Sequence, residues 1–405
     1  MRVALGLLLA GAIAVSVAAQ TRPRGRDLGI PFPGRTGVNN AITDVAGVAV
    51  GHVTLVEGEG RLVAGTGPIR TGVTAILPRP RGNWDPVFAA TFNQNGNGDM
   101  TGTNWIKESG FMEGPILLTG THSVGTVRDA AIQWQLKNGR QFVFTYPIVA
   151  ETFDALNDAN GEHVKPIHAF QALDRAAPGP VQEGSVGGGT GMGCNGFKGG
   201  IGTSSRVLTA PQGGYTIGVL VQCNYGGDLR ILGVPIRSEI AGLGQCTAVP
   251  QPLSRPWTVG IPPCPKAGGV AGPQAADDNE GRGSIIVIVA TDAPLLPHQL
   301  ERIARRVGMG LGRLGSWAGN SSGDLFLAFS TANPEAARPD GTPSLTMLPN
   351  DRINPLFQAT IDATEEAVVN AMLAAETMTG ADGIRLFGLP GDQVVAALKK
   401  YNRMK

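Results

Sequence analysis

The sequence predicts a layered α+β fold, and three observations carry that expectation. Runs of β-branched and apolar residues bounded by glycine and proline recur along the chain, which marks strands. Helical segments fall between and after them without the strict strand–helix alternation of a doubly wound parallel sheet. Finally, "SIIVIVAT" (Ser284–Thr291) is apolar at nearly every position, as a strand covered on both faces has to be.

In chain order, "MRVALGLLLAGAIAVSVAAQ" (residues 1–20) has a basic start, a short apolar run and a small-residue end at Val17-Ala18-Ala19. That is the pattern of a secretory signal cut near Ala19 or Gln20. A membrane anchor is the alternative, disfavoured because the apolar run is short for a bilayer span. The mature protein is therefore expected to be periplasmic or secreted, and off the membrane once the signal is gone. "TRPRGRDLGIPFPGRTGVNN" reads as an extended arm. "AGVAVGHVTL", "GVTAILPRP", "GPILLTGT", "RQFVFTYPIVAET" and "YTIGVLVQCNYG" read as strands. "SVGTVRDAAIQWQLKNG" reads as a helix with Ser123 as N-cap and Gly139 as stop. The stretch from Gly184 to Gly202 is too rich in glycine for a regular element. Residues 250–283, rich first in proline, then in glycine and alanine, then in acid, read as a linker. Beyond Ser284 the pattern predicts a helix in "LPHQLERIARRVGMGLGRLG", a strand in "DLFLAFST", a long helix near Asn354–Thr379 and a last one near Gln393–Tyr401.

Composition sets the bounds. A chain of 405 residues, 42% hydrophobic and 16% charged, can bury a large core as one big domain or two ordinary ones. A net charge of +1 gives no reason to expect nucleic acid or an anionic surface as partner. The 59 glycines show no collagen period and imply tight turns and close backbone approaches. Four cysteines are too few for a disulfide scaffold; export permits a bridge, with Cys246–Cys264 the preferred pair and four plain thiols the alternative.

Several motifs fail on context. "GNSSG" (Gly319–Gly323) matches the G-x-S-x-G elbow, but that elbow needs a strand before it and a helix after it, and here the order is reversed. "GGGTGMG" lacks the Lys-Ser/Thr of a phosphate-cradling loop. The five histidines include no H-x-x-x-H or HExxH pair, so no metal site is expected, and nothing marks one of them as the base of a triad.

Ser284 needs a different account. It opens a buried strand directly behind "GRG". A chain cut between Gly283 and Ser284 would give Ser284 a free α-amine. With an ordinary pKa of roughly 7.7–8, that amine is able to take the proton of its own hydroxyl, doing the work of a triad histidine. Gly283 leaves its carbonyl open to attack by the hydroxyl, and the upstream linker would be released. The alternative is an ordinary strand-initial serine.

These segments together resemble the DmpA-type L-aminopeptidase/D-esterase family, which includes the β-peptidyl aminopeptidases. The resemblance rests on "GSIIVIVATDAPLLPHQLERIARR", "GNSSGDLFLAFSTAN", "VGGGTGMGC…KGGIGTSSR", "GVLVQCNYG" and "AETFDALND". It runs from about Thr36 to Arg385. It implies an αββα sandwich shared with ornithine acetyltransferases, one catalytic domain made as a precursor, and self-cleavage into a larger chain (21–283) and a smaller one (284–405). Tetramers of processed pairs, and small peptides, amides or esters as substrates with no cofactor, follow from the same resemblance.

Position by position, the resemblance makes Ser284 the nucleophile and its own base. It makes Ser322 and Asp324 the groups that hold the α-amine, Asn224 an oxyanion donor, and Glu151 the carboxylate that pairs with the substrate's amino group. Phe153 stands where some relatives carry Tyr or Trp, so a tyrosine hydroxyl at that place is absent. Taken singly, Asp324 also reads as a turn residue, Ser322 as a strand start, Asn224 as a loop closer and Glu151 as a solvated strand end. Acyl transfer on the same fold and a periplasmic peptide-binding protein are the other functions considered. The nucleophile argues against the first, since ornithine acetyltransferases characteristically use threonine.

Overall fold

Alternation of side chains along a strand puts successive residues on opposite faces. In the strand that begins at Gly283 both faces are covered. Ile285, Val287 and Val289 pack with Ile303, Val307, Val368 and Met372 of two long helices. Ile286, Ile288 and Ala290 pack with Ile76, Ile116, Leu118 and Ile148 of a second sheet. The far face of that second sheet, through Val53, Val73, Leu117 and Val149, meets Val127, Ala131, Trp134, Ala169 and Leu173 of two further helices. Helix, sheet, sheet, helix is the αββα sandwich expected. Each fully buried Ile or Val contributes roughly 1.5–3 kcal/mol, which makes the central strands the most strongly held part of the chain.

The computed structural model describes residues 22–240, 243–250, 253, 255, 258, 261–265 and 283–405. The signal read at residues 1–20 lies outside the described residues, as does most of the linker read at 250–283. In chain order the principal elements are β1 (Ala49–Glu57), β2 (Ile69–Leu77), β3 (Val87–Gly96), β4 (Phe111–Met112), β5 (Ile116–Gly120), α1 (Val124–Lys137), β6 (Ile148–Thr152) and α2 (Pro166–Arg175). Then follow β7 (Gly200–Val207), β8 (Thr216–Tyr225), β9 (Gly283–Thr291), α3 (Pro297–Arg313), β10 (Gly323–Ser330) and α4 (Asn354–Ala374). The smaller sheet has the order β1-β2-β5-β6 and the larger one β4-β3-β10-β9-β8-β7. Pairing is antiparallel except β5 with β6 and β9 with β10.

Several expectations are corrected. "RQFVFTYPIVAET" is strand only over Ile148–Thr152; Val143 upstream is 97% exposed, so apolar residues there pack on nothing that would hold a strand. Ser123 sits at the N-cap of α1 but makes no side-chain cap, because a 3₁₀ turn (Thr121–Ser123) leads straight into the helix. The long helix ends at Ala374 rather than near Thr379, since Met378–Thr379 pairs as a short strand with Leu386–Arg385. The arm is not extended throughout: residues 25–29 form turns, and Arg26 binds Glu366 of α4 at 2.9 Å. Strands β3 (VFAATFNQNG), β4 and β7 (GIGTSSRV) lie outside the segments that read as strands from the sequence.

Both cysteine pairs are bridged. Cys246–Cys264, with Cα atoms 4.7 Å apart, is the expected pair. Cys194–Cys223, 5.7 Å apart, was not foreseen.

Helix α4 lies directly on β7, so closely that a Cβ on Gly202 would stand 2.0 Å from the carbonyl oxygen of Ala367. Gly202→Ala should therefore push the helix off the sheet and cost about 1–3 kcal/mol. Thermal unfolding checks this; an unchanged Tm would contradict the packing described.

Candidate active site

Three neighbouring strands bring their ends to one place. Antiparallel pairing sets Ser284 of β9 opposite Asn224 of β8, and parallel pairing sets it opposite Gly323 of β10. Ser284 is only 7% exposed, and its Oγ accepts the Gly323 N–H at 3.1 Å. Gly283, just before it, has φ +117°, and a Cβ there would lie 2.1 Å from the Asn224 carbonyl oxygen. Both the backbone angle and the space admit only glycine.

Asn224 is the penultimate residue of β8, not a loop closer. Its Oδ1 accepts the Gly193 N–H at 2.9 Å, and its Nδ2 donates to the Phe153 carbonyl at 3.0 Å. A primary amide has two N–H donors, so this orientation leaves the second for another acceptor. The resemblance pointed to the ring of Phe153. What the structure brings to Asn224 is the Phe153 backbone carbonyl, while the residue as a whole is 39% exposed.

Ser322 and Asp324 flank Gly323, and the Ser322 hydroxyl donates to Asp324 Oδ1 at 2.6 Å. Asp324 Oδ2 is buried and has no protein partner among the described residues. Burial raises the Asp324 pKa above the usual carboxylate range, opposed by the Ser322 hydroxyl and a backbone hydrogen bond from Ile285. Asp324 thus belongs to the strand, where it pairs with Ile285 in register.

Glu151 is buried as well, 4% exposed at the end of β6, which removes the reading of a solvated strand end. Its Oε1 accepts the Asp99 N–H at 3.0 Å and its Oε2 accepts the Thr121 hydroxyl. Burial raises its pKa and outweighs both hydrogen bonds. Its position relative to the serine is set by Gly98: a Cβ there would lie 3.2 Å from Glu151 Oε1 and 3.4 Å from Gly323 Cα. Glu151 therefore stands one residue's width from the backbone that holds Ser284. Behind it, burial and the charge of Glu151 help push Asp154 up to about 7, burial being the larger cause.

Ser284, Ser322, Asp324, Asn224 and Glu151 thus lie at the starts of β9 and β10 and the ends of β6 and β8, with Phe153 present there through its backbone carbonyl. What sequence reasoning missed are the groups that orient them: the N–H groups of Gly323, Gly193 and Asp99, and the Thr121 hydroxyl. Backbone donors leave no compositional trace. Thr121 had one available signal, because parallel pairing of Gly120 with Thr152 brings the loop after β5 beside Glu151.

The Thr121 hydroxyl stabilises the charged form of Glu151, so Thr121→Val should raise the Glu151 pKa further. Carboxyl ¹³C NMR titration reads this directly; an unmoved or lowered midpoint would contradict the arrangement.

Comparison with known proteins bears on the family and the fold. The model of peptidase family S58 matches residues 40–386. The chain is 49% identical over 403 residues to the β-peptidyl aminopeptidase BapA of Sphingosinicella microcystinivorans, covering 98% of this chain and 96% of that one. It is 46% identical to the corresponding protein of Sphingosinicella xenopeptidilytica, covering 97% and 96%. Among solved structures it resembles the L-aminopeptidase D-Ala-esterase/amidase of Ochrobactrum anthropi, described as a prototype of the serine aminopeptidases and a variant of the Ntn hydrolase fold. That structure gives a TM-score of 0.82, with 42% identity over 95% of this chain and 100% of that one. The β-aminopeptidase of a Burkholderia species gives a TM-score of 0.78 and 43% identity over 93% and 99% of the two chains. Family match, relatives of nearly equal length and shared architecture converge: this chain belongs to peptidase family S58.

Proposed function

We propose that the protein is an exported, self-processing serine aminopeptidase that removes an N-terminal residue, β-amino acids included, from short peptides, amides and esters. The observation that carries the reading is the Gly283–Ser284 junction: a glycine with a left-handed φ beside a buried serine, with Asn224 and Gly323 on either side of it.

In maturation, Ser284 Oγ attacks the Gly283 carbonyl carbon, the peptide C–N bond breaks, and an ester to Oγ forms as the α-amine is released. One water hydrolyses that ester, leaving a carboxylate on Gly283 and the hydroxyl on Ser284. In turnover the new α-amine accepts the Oγ proton as Oγ attacks the substrate carbonyl. The free N–H of Asn224 stabilises the oxyanion. The resulting ammonium protonates the leaving amine, and the amine then activates the water that releases the acid. Ser322 and Asp324 hold the ammonium beside the nucleophile, and Glu151 binds the substrate's own ammonium. Relatives named for β-peptides at 49% and 46% identity support β-aminoacyl substrates. The two disulfides support an oxidising compartment, periplasmic or extracellular. Assembly as tetramers of processed pairs follows from the family resemblance.

Ser284→Ala should give a single uncut chain on a denaturing gel and no turnover of a chromogenic β-aminoacyl amide. Two fragments, or retained turnover, would overturn the reading. Glu151→Gln should raise KM by about 30-fold or more while lowering kcat far less, the equivalent of roughly 2 kcal/mol for one partner of a buried charge pair. The steady-state constants, with N-acetylated substrate as comparison, check it; an unchanged KM would remove Glu151 from the amine site.

A further inference from the structure

The segment after the glycine-rich turn forms a very short hairpin, Gly193–Cys194 with Phe197–Lys198. Two strands of this length do not hold a fixed position alone. Three consecutive residues tie it to three consecutive residues at the end of β8. The Gly193 N–H donates to Asn224 Oδ1 at 2.9 Å, Cys194 is bonded to Cys223, and the Asn195 N–H donates to the Tyr225 carbonyl at 2.7 Å. The far end is fastened separately, by the Lys198 N–H on the Phe387 carbonyl and by buried Lys198 Nζ on the Gly199 carbonyl, both at 2.7 Å. Of the ties nearest Asn224, only the disulfide cannot exchange with water.

We propose that the Cys194–Cys223 disulfide is a positioning element for Asn224, keeping the Gly193 N–H on its Oδ1 and so aiming its amide at the carbonyl under attack. This rests on the reading of Asn224 as an oxyanion donor. Both sulfurs are buried, at 1% and 0% exposure, so the bridge acts by geometry and contacts no substrate. Cys246–Cys264, in a different part of the chain, has no such connection to Asn224 among the described residues and serves as the control.

The first measurement is a peptide map of native enzyme alkylated without reductant. It should yield a linked Cys194–Cys223 peptide; alkylated Cys194 and Cys223 would overturn the proposal. Cys194→Ala and Cys223→Ala should each lower kcat about tenfold, short of the 100-fold or more for deleting an oxyanion donor, with KM nearly unchanged. Rates are counted per Ser284 amino terminus, so poor folding does not enter. The double variant should lose no more than either single one, and Cys246→Ala/Cys264→Ala should retain kcat. Wild-type kcat in either single variant, or multiplied losses in the double, would overturn the proposal. Should the single variants not mature, processed enzyme treated with a dithiol and then iodoacetamide gives the same readout: kcat falls when Cys194 and Cys223 are alkylated, and unchanged kcat refutes the role. A preparation with no Ser284 amino terminus at all would instead refute the aminopeptidase reading itself.

Discussion

The register of β9 between β8 and β10 is the constraint on which the site depends. Because β9 is covered on one face by helices and on the other by a sheet, a slip of one residue would exchange its two sets of apolar side chains. Ile285, Val287 and Val289 are shaped to one layer, Ile286, Ile288 and Ala290 to the other. The core therefore decides where Ser284 stops, and hence that it faces Asn224 and the Gly323 amide. Gly283 then has to fit beneath the Asn224 carbonyl, in space that excludes a side chain. The Gly283–Ser284 peptide is thus held by packing that extends the whole length of the strand.

Two carboxylates in this site are both buried but meet different hydrogen-bond partners. Glu151 accepts its two hydrogen bonds from neutral donors, the Asp99 amide and the Thr121 hydroxyl. Its burial makes the charged form costly, and that cost falls if a cation lies beside it. Asp324 has one oxygen engaged by Ser322 and the other buried without a hydrogen-bond partner among the described residues, and in register it pairs with Ile285, next to Ser284. Desolvation by burial is the largest cause raising both pKa values.

Much of this was legible in the sequence because its signals are local. The unbroken apolar run after Ser284 announced a doubly covered strand, the glycine before it announced an unusual backbone, and the spacing of "NSSGD", "QCNYG" and "AETF" marked the remaining groups through family resemblance. Less legible was whatever depends on distant partners. In the Arg140–Pro147 stretch Phe142 packs against Arg140 and Phe144 against Tyr146 without forming a strand, so pattern alone overstated β6. The polar end of β3 (Asn93–Gly96) continues as strand because it pairs along β10. The Cys194–Cys223 bridge joins residues 29 apart in sequence, and only the docking of the small hairpin on β8 reveals that they meet.

The central claim is that the catalytic base is the amino group of the nucleophile's own residue. Intact-mass measurement of active enzyme trapped with a slowly hydrolysed β-aminoacyl ester tests this most directly, because it locates the acyl group and the chain terminus together. The account predicts that the acyl mass is carried by a fragment beginning Ser284-Ile285-Ile286. An acylated chain still continuous through Gly283, or an acyl group on any other residue, would contradict it.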